Sequence, residues 1–168
     1  MEFIFRLITK DDFPLLTAWL HKPHVLRWWR DPQETLVEVE AKYGGRVEGD
    51  EPTDVYFAEV EGKPIGLIQS YWTDDYPEHA ATIPYPKAVG VDLFIGEEDY
   101  IDRGYGTAML TQFVSKVIRA RYPDAQYVVA DPELTNPASL GAFRKAGFSK
   151  GPVTPGEYGP EQLMILEL

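Results

Sequence analysis

Arg103-Gly104-Tyr105-Gly106-Thr107-Ala108 places two glycines one residue apart between a strand-like run and a helical stripe, and that order decides the fold. The run before it, Ala88 to Ile95, is mostly apolar. After it, Leu110, Phe113, Val114, Val117 and Ile118 share one face of a helical repeat. The prediction is strand, glycine loop, helix. Glycines let a ligand come close to the backbone, and the N–H groups of a first helical turn present donors and the positive end of the dipole to a pyrophosphate. Arg103 adds a charge-assisted contact at the rim, and Tyr105, Thr107 and Ala108 complete the cradle. No Lys-Ser or Lys-Thr follows the second glycine, so the loop is not that of a nucleoside-triphosphate phosphatase or kinase. It also lacks the third glycine of a dinucleotide fingerprint, and on its own it fits a plain tight connection as well as a phosphate site.

The 168 residues suit one domain, 1–168, able to bury a core without staples. With no cysteine, disulfides, thiolate metal sites and a cysteine nucleophile are excluded. The opening Met1-Glu2-Phe3-Ile4-Phe5-Arg6 has neither the basic start nor the apolar run of a signal peptide, so a cytoplasmic protein without a membrane partner is expected. Against 16 basic residues stand 27 acidic ones, a net charge of −11, which argues against a nucleic-acid partner. That charge serves solubility or favours a cationic substrate. His21, His24 and His79 have no metal-ligand spacing, and no metal is predicted.

Outward from the loop, the pattern reads as one mixed α/β domain. Phe3 to Ile8 alternates like a strand, and Thr9 caps a helix running to Leu20. Pro23 begins a short helix carrying Val25, Leu26, Trp28 and Trp29. Asp31-Pro32 is an N-cap signal for a third helix ending at Tyr43, stopped by Gly44-Gly45, with polar loop from Val47 to Thr53. Asp54 to Val60, the Glu61-Gly62-Lys63-Pro64 turn and Ile65 to Trp72 form a hairpin. Thr73 to Pro86 is too long for a simple connector and is expected to be functional. Gln126 to Ala130 is a short strand, Asn136-Pro137 caps a last helix that Gly147 stops, and two strands follow, from Phe148 onward and from Leu163 to Leu168.

The glycine loop, together with Asn136-Pro137-Ala138-Ser139-Leu140-Gly141-Ala142-Phe143-Arg144-Lys145-Ala146-Gly147-Phe148 about 30 residues on, resembles the GCN5-related N-acetyltransferases over the whole chain. Trp28-Trp29, Gln69-Ser70-Tyr71, Val91-Asp92 and Asp131-Pro132 resemble the aminoglycoside 6'-N-acetyltransferases in particular. The resemblance implies a mostly antiparallel sheet, flanked by helices and splayed between its fourth and fifth strands. It also implies acetyl-CoA as cofactor. The pantetheine arm would lie along the backbone of Phe94 and Ile95, one N–H there polarising the thioester carbonyl. The pyrophosphate would sit on the N–H groups of Gly104 to Ala108, with Asn136 reaching the cofactor from its helix head or serving as an N-cap.

Acetyl transfer to an amine needs the amine neutral and the carbonyl polarised. Asp92 stands where the resembled enzymes place a functional aspartate. A carboxylate with an ordinary pKa near 4 is a poor base, so the expected role of Asp92 is to hold the ammonium and take its proton directly or through water as the amine is desolvated. Asp131, at the end of the neighbouring strand, is the second acidic candidate. Many relatives carry a Tyr that protonates the leaving thiolate where this chain has Phe143, which cannot donate a proton. Ile101 stands where a phosphate-binding Gln or Arg is common.

For the acceptor, Trp28, Trp29, Tyr43 and Tyr71 with Asp74 and Asp75 are expected to fringe a cleft suited to a polycationic amino-sugar or polyamine, although one of the adjacent tryptophans must face the core. The expected function is therefore acetyl-CoA-dependent N-acetylation of an aminoglycoside, by a monomer or homodimer, with antibiotic resistance as a consequence. A siderophore hydroxylamine, a protein or polyamine amine, or a non-catalytic acyl-CoA sensor would keep the same cofactor residues.

Overall fold

Thr35 shows how the chain starts its helices. Its Oγ1 accepts the Glu38 N–H at 3.2 Å while Glu38 accepts the Thr35 N–H at 2.8 Å, a reciprocal capping box. The computed structural model describes residues 1–30 and 35–168, so the Asp31-Pro32 cap expected from sequence lies outside the described residues.

Seven strands hydrogen-bond in the order β1-β2-β3-β4-β5-β7-β6. They are β1 Ile4–Leu7, β2 Asp54–Val60, β3 Lys63–Trp72, β4 Ala88–Ile95, β5 Tyr127–Ala130, β6 Ser149–Gly156 and β7 Gly159–Glu167. Pairs β1–β2, β5–β7 and β6–β7 are antiparallel; β4–β5 is parallel. This is the mixed α/β sheet expected from the sequence. The chain's contacts group into residues 1–69 with 93–101, and residues 70–92 with 102–168.

In the first group, α1 (Phe13–Leu20), α2 (Pro23–Leu26) and α3 (Leu36–Glu48) accompany β1 and β2. Phe13, Leu16, Trp19, Val39, Tyr43, Phe57 and Leu67 form one buried cluster. Burial at this level contributes about 1.5–3 kcal/mol per large side chain. Two expectations are corrected here. Helix α3 does not stop at Gly44-Gly45 but runs to Glu48, and Gly49 ends it in the left-handed region at φ 82°. The reason is tertiary: Val39 and Tyr43 anchor the helix in the core, which offsets roughly 1 kcal/mol per glycine. Residues 47–48 are therefore helix rather than loop. Helix α2 stops at Leu26, and Trp28 and Trp29 lie beyond it, their N–H groups donating to the Val25 carbonyl at 3.1 and 2.8 Å.

In the second group, the long segment after β3 is partly ordered into a turn, Thr73–Asp75, and a short helix α4, Pro77–Ala80. Helix α5, Tyr105–Phe113, continues through a π-helical turn, Val114–Ile118, into α6, Arg119–Arg121; α7 is Pro137–Lys145. Ile83, Ala88, Val129, Leu163 and Ile165 make a second buried cluster. Among the described residues, three that are not glycine take left-handed backbone: Glu61 (φ 51°), Lys87 (φ 53°) and Asp102 (φ 56°). Glu61 shares the hairpin turn with Gly62 (φ 76°), and the Lys87 carbonyl accepts the Gln126 N–H at 2.9 Å, at the start of the parallel pair.

Candidate active site

Gly104 caps α5 in the left-handed region, φ 81° and ψ 0°, a conformation that costs a side-chain-bearing residue but not glycine. Gly106, in the first turn, needs its missing side chain for a different reason. A Cβ built there would meet only Ala142 Cβ, at 3.9 Å, so the protein's own packing leaves the position open. Tyr105, Gly106, Thr107 and Ala108 are partly exposed and Arg103 is exposed. The first-turn N–H groups thus point into accessible space, the arrangement a diphosphate requires. At the head of α7, Asn136 Oδ1 accepts the Ser139 N–H at 3.1 Å, so its capping role is present. Phe143 is buried and packs edge-on against Phe148, centroids 5.0 Å apart; it is a core residue that offers no proton.

Strands β4 and β5 begin as a parallel pair with the register Ala88↔Tyr127, Val89↔Val128, Gly90↔Val129. Among the described residues the register ends there, although β4 continues to Ile95. Asp92 follows two residues after the last pair on one strand, and Asp131 two residues after it on the other. Both are partly exposed. The Ile95 carbonyl accepts a hydrogen bond from His24 Nε2 at 2.9 Å, and Phe94 lies edge-on to Trp29 at 4.9 Å and to Trp19 at 6.2 Å.

Around Asp92 and Asp131 the structure assembles more than the sequence indicated. His79, on α4, lies 2.7 Å from Asp131 Oδ2 through its Nε2. The Asp131 carboxylate raises the imidazole pKa above its ordinary value; burial opposes this, and Asp92 and Glu161 reinforce it. Tyr71 is almost completely buried, its hydroxyl hydrogen-bonded to Asp92, and burial followed by the Asp92 and Asp131 charges pushes its pKa well up. Its ring lies where a side chain on residue 90 would be, 2.5 Å from the Cβ that Gly90 lacks. Tyr76 meets the Tyr71 ring edge-on at 5.1 Å. Glu161, on β7, is raised to about 7, first by burial and then by repulsion from Asp131, Glu133 and Asp92, with His79 pulling the other way. Three carboxyl groups and one imidazole thus form one electrostatically coupled, partly exposed cluster, whose acids can hold a cation.

The other sequence candidates separate. Tyr43 is fully buried and flanked by the Arg46 guanidinium 5.2 Å from its ring, so its expected place at a rim is corrected to the core. Trp29 packs against the same core, while Trp28 carries Arg27 over its ring at 4.8 Å. Asp74 and Asp75 are exposed in the turn after β3. Glu161 escaped the sequence reading because the last strand was expected to start only at Leu163. The isolated bridge Glu133↔Glu161 that sets two acids opposite each other is a long-range pairing with no local signal. Among the described residues no group of His, Asp and Glu is arranged to hold a metal ion, and no helix is long and apolar enough to cross a membrane.

The parallel β4–β5 pair and the helix that opens on Gly104 and Gly106 belong to a fold that comparison with known proteins names. A family model described as acetyltransferase (GNAT) domain matches residues 9–154, and the chain belongs to that family. It is 28% identical over 171 residues to the aminoglycoside N(6')-acetyltransferase type 1 of Klebsiella pneumoniae, covering 95% of this chain and 80% of that protein. The solved structure of the aminoglycoside acetyltransferase AAC(6')-Ib with coenzyme A and kanamycin superposes with a TM-score of 0.88, at 26% identity over 99% of this chain and 95% of that one. An N-hydroxyputrescine acetyltransferase of Acinetobacter baumannii is 26% identical over 133 residues, 77% of this chain and 60% of its own.

Proposed function

We propose that this protein moves an acetyl group from acetyl-CoA directly to a primary amine of an aminoglycoside, the 6'-amine by analogy with its relatives. The observation that carries the reading is the anionic pocket of Asp92 and Asp131 two residues beyond the last β4–β5 pair. A diphosphate fits the head of α5 at residues 104–107, with Arg103 beside it, because Gly104 takes the left-handed turn without strain and Gly106 leaves the face open; the Ala108 N–H, expected in the same cradle, instead donates to the Gly104 carbonyl at 3.1 Å. Asn136, at the head of the neighbouring helix, would approach the same group. The backbone of β4 beyond Gly90, at Phe94 and Ile95, would hold the pantetheine arm.

When bound, the cofactor supplies a thioester as acyl donor. Asp92, with Tyr71 hydrogen-bonded to it, fixes the acceptor ammonium, and Asp131 adds a second charge. As the amine is desolvated its first proton would pass to Asp92 or through it to water, the nitrogen lone pair would form the new N–C bond, the C–S bond would break with its electrons going to sulfur, and the nitrogen would release its second proton to water to leave the neutral amide. Phe143 has no hydroxyl, so water supplies the proton that sulfur then takes up. Absence of Cys makes a covalent relay through a thiol impossible. The acidic net charge suits a polycationic acceptor, the exposed Asp74 and Asp75 being candidates to meet its remaining amines. A reaction that draws on acetyl-CoA supports a cytoplasmic setting. The likeness to the N-hydroxyputrescine enzyme supports a second reading, a hydroxylamine-bearing diamine as acceptor.

The test is free-thiol release from acetyl-CoA with kanamycin, tobramycin, spermidine, lysine and a hydroxylamine-bearing diamine. Turnover with the aminoglycosides supports the first reading; turnover with the hydroxylamine alone replaces it with the second. Asp92→Asn should lower kcat at least tenfold with coenzyme A affinity nearly unchanged, about 1.4 kcal/mol or more of transition-state stabilisation. Wild-type kcat in that variant would remove Asp92 from the mechanism.

A further inference from the structure

His79 occupies, on Asp131, the position an acceptor ammonium would take. Its Nε2 lies 2.7 Å from Asp131 Oδ2, and the side chains of the pair are 28% and 25% exposed, sheltered but reachable. The imidazole is not there by accident of packing. Pro77 opens α4, the Tyr76 carbonyl accepts the Ala80 N–H at 2.9 Å, and the His79 carbonyl accepts the Thr82 N–H at 3.0 Å and its Oγ1 at 2.8 Å, which fixes the backbone that carries the ring. The Tyr71 ring stands 6.0 Å from the imidazole on another side. Among the described residues, the charges that act on it come from Asp131 after β5, Asp92 on β4 and Glu161 on β7, all acidic. An imidazolium in that setting offsets the charge of the partly buried acids when no substrate is bound.

We infer that His79 is an internal counter-ion that holds the acceptor site closed on Asp131, and that an acceptor binds by displacing it, so that His79 sets both the threshold and the pH dependence of acceptor binding. The inference rests on the assignment of Asp131 to the acceptor amine made above. Selectivity follows from it. A lone ammonium on a small molecule gains on Asp131 only what His79 loses, whereas a polycation also reaches Asp92 and Glu161 and so wins the exchange. Below the imidazole's raised pKa the exchange is cation for cation; above it, the neutral ring yields more readily, and acceptor KM falls as pH rises through that value.

Two measurements on the full chain test this. In the first, His79→Ala should lower the kanamycin KM three- to tenfold at pH 6.5, change kcat less than twofold, leave the acetyl-CoA KM unaltered and flatten the pH dependence of the kanamycin KM. His79→Lys, a permanent cation, should keep the high KM and also lose the pH dependence. A tenfold fall in kcat or a raised KM in His79→Ala would overturn the inference, because the ring would then act on the reaction itself. The second keeps the protein native. The His79 imidazole resonances are titrated by NMR without and with saturating kanamycin in the presence of coenzyme A, with His21 and His24 as internal references. Displacement moves the His79 pKa down toward 6.5, the ordinary value; an unmoved or raised value overturns the inference. Thiol release with an unmoved His79 sinks this inference alone, a moved His79 without thiol release sinks the aminoglycoside reading alone, and neither signal sinks both.

Discussion

Glu161 carries no motif and lies near the start of β7, yet its carboxyl is among the most perturbed of the described groups. Its folded pKa, about 7, stands above the ordinary 4.5 because burial and the Asp131, Glu133 and Asp92 charges all disfavour its ionisation. Stability contributed by such a group is intact below the lower value and lost as pH rises through the upper one. Glu161→Gln should therefore raise the melting temperature above pH 7 and leave it unchanged near pH 4; a lowered melting temperature at pH 8 would show that the carboxylate is paired rather than repelled. Asp92, within β4, and Asp131, just after β5, could be proposed from the strand pattern and from family resemblance. The partners that tune them were not. His79 and Glu161 reach the pocket from elements 52 residues away from Asp131 and across a strand pairing, and no local periodicity encodes such a meeting.

At the scale of elements, two glycines illustrate opposite reasons for the same residue. Gly90 lies under the buried Tyr71 ring, 2.5 Å from where a Cβ would stand. Gly90→Ala should cost about 1–3 kcal/mol of stability in chemical denaturation, the range for overpacking a core. Gly106 faces open space, so Gly106→Val should keep the melting temperature within a few degrees and abolish coenzyme A binding by calorimetry. Unchanged affinity would reduce the glycine loop to a turn. Elements set by short-range rules were read to within a residue or two: β2 and β4 by their apolar runs, α7 by Asn136-Pro137 before it and Gly147 after it. Helix α3 was cut short because Gly44-Gly45 reads locally as a stop, and only its burial through Val39 and Tyr43 carries it past them.

Across the whole molecule, a net charge of −11 makes attraction of a polycation a long-range effect as well as a contact. Screening shortens its reach from roughly 30 Å at 0.01 M salt to about 8 Å at 0.15 M. The kanamycin KM should rise severalfold over that range while kcat holds steady, read by thiol release; a flat KM would assign acceptor affinity to short-range contacts alone. The same whole-chain view shows where the fold carries conformational debt. Glu61, Lys87 and Asp102 keep left-handed backbone without being glycine, at about 1–2 kcal/mol each, and all three stand in connections. Lys87 is held there through its carbonyl to Gln126, a bond indifferent to its side chain. Such positions are natural entry points for thermostabilisation: asparagine or glycine at 87 would relax the joint while leaving the pocket chemistry alone, and a breeder of heat-tolerant variants would start at these three turns rather than in the core.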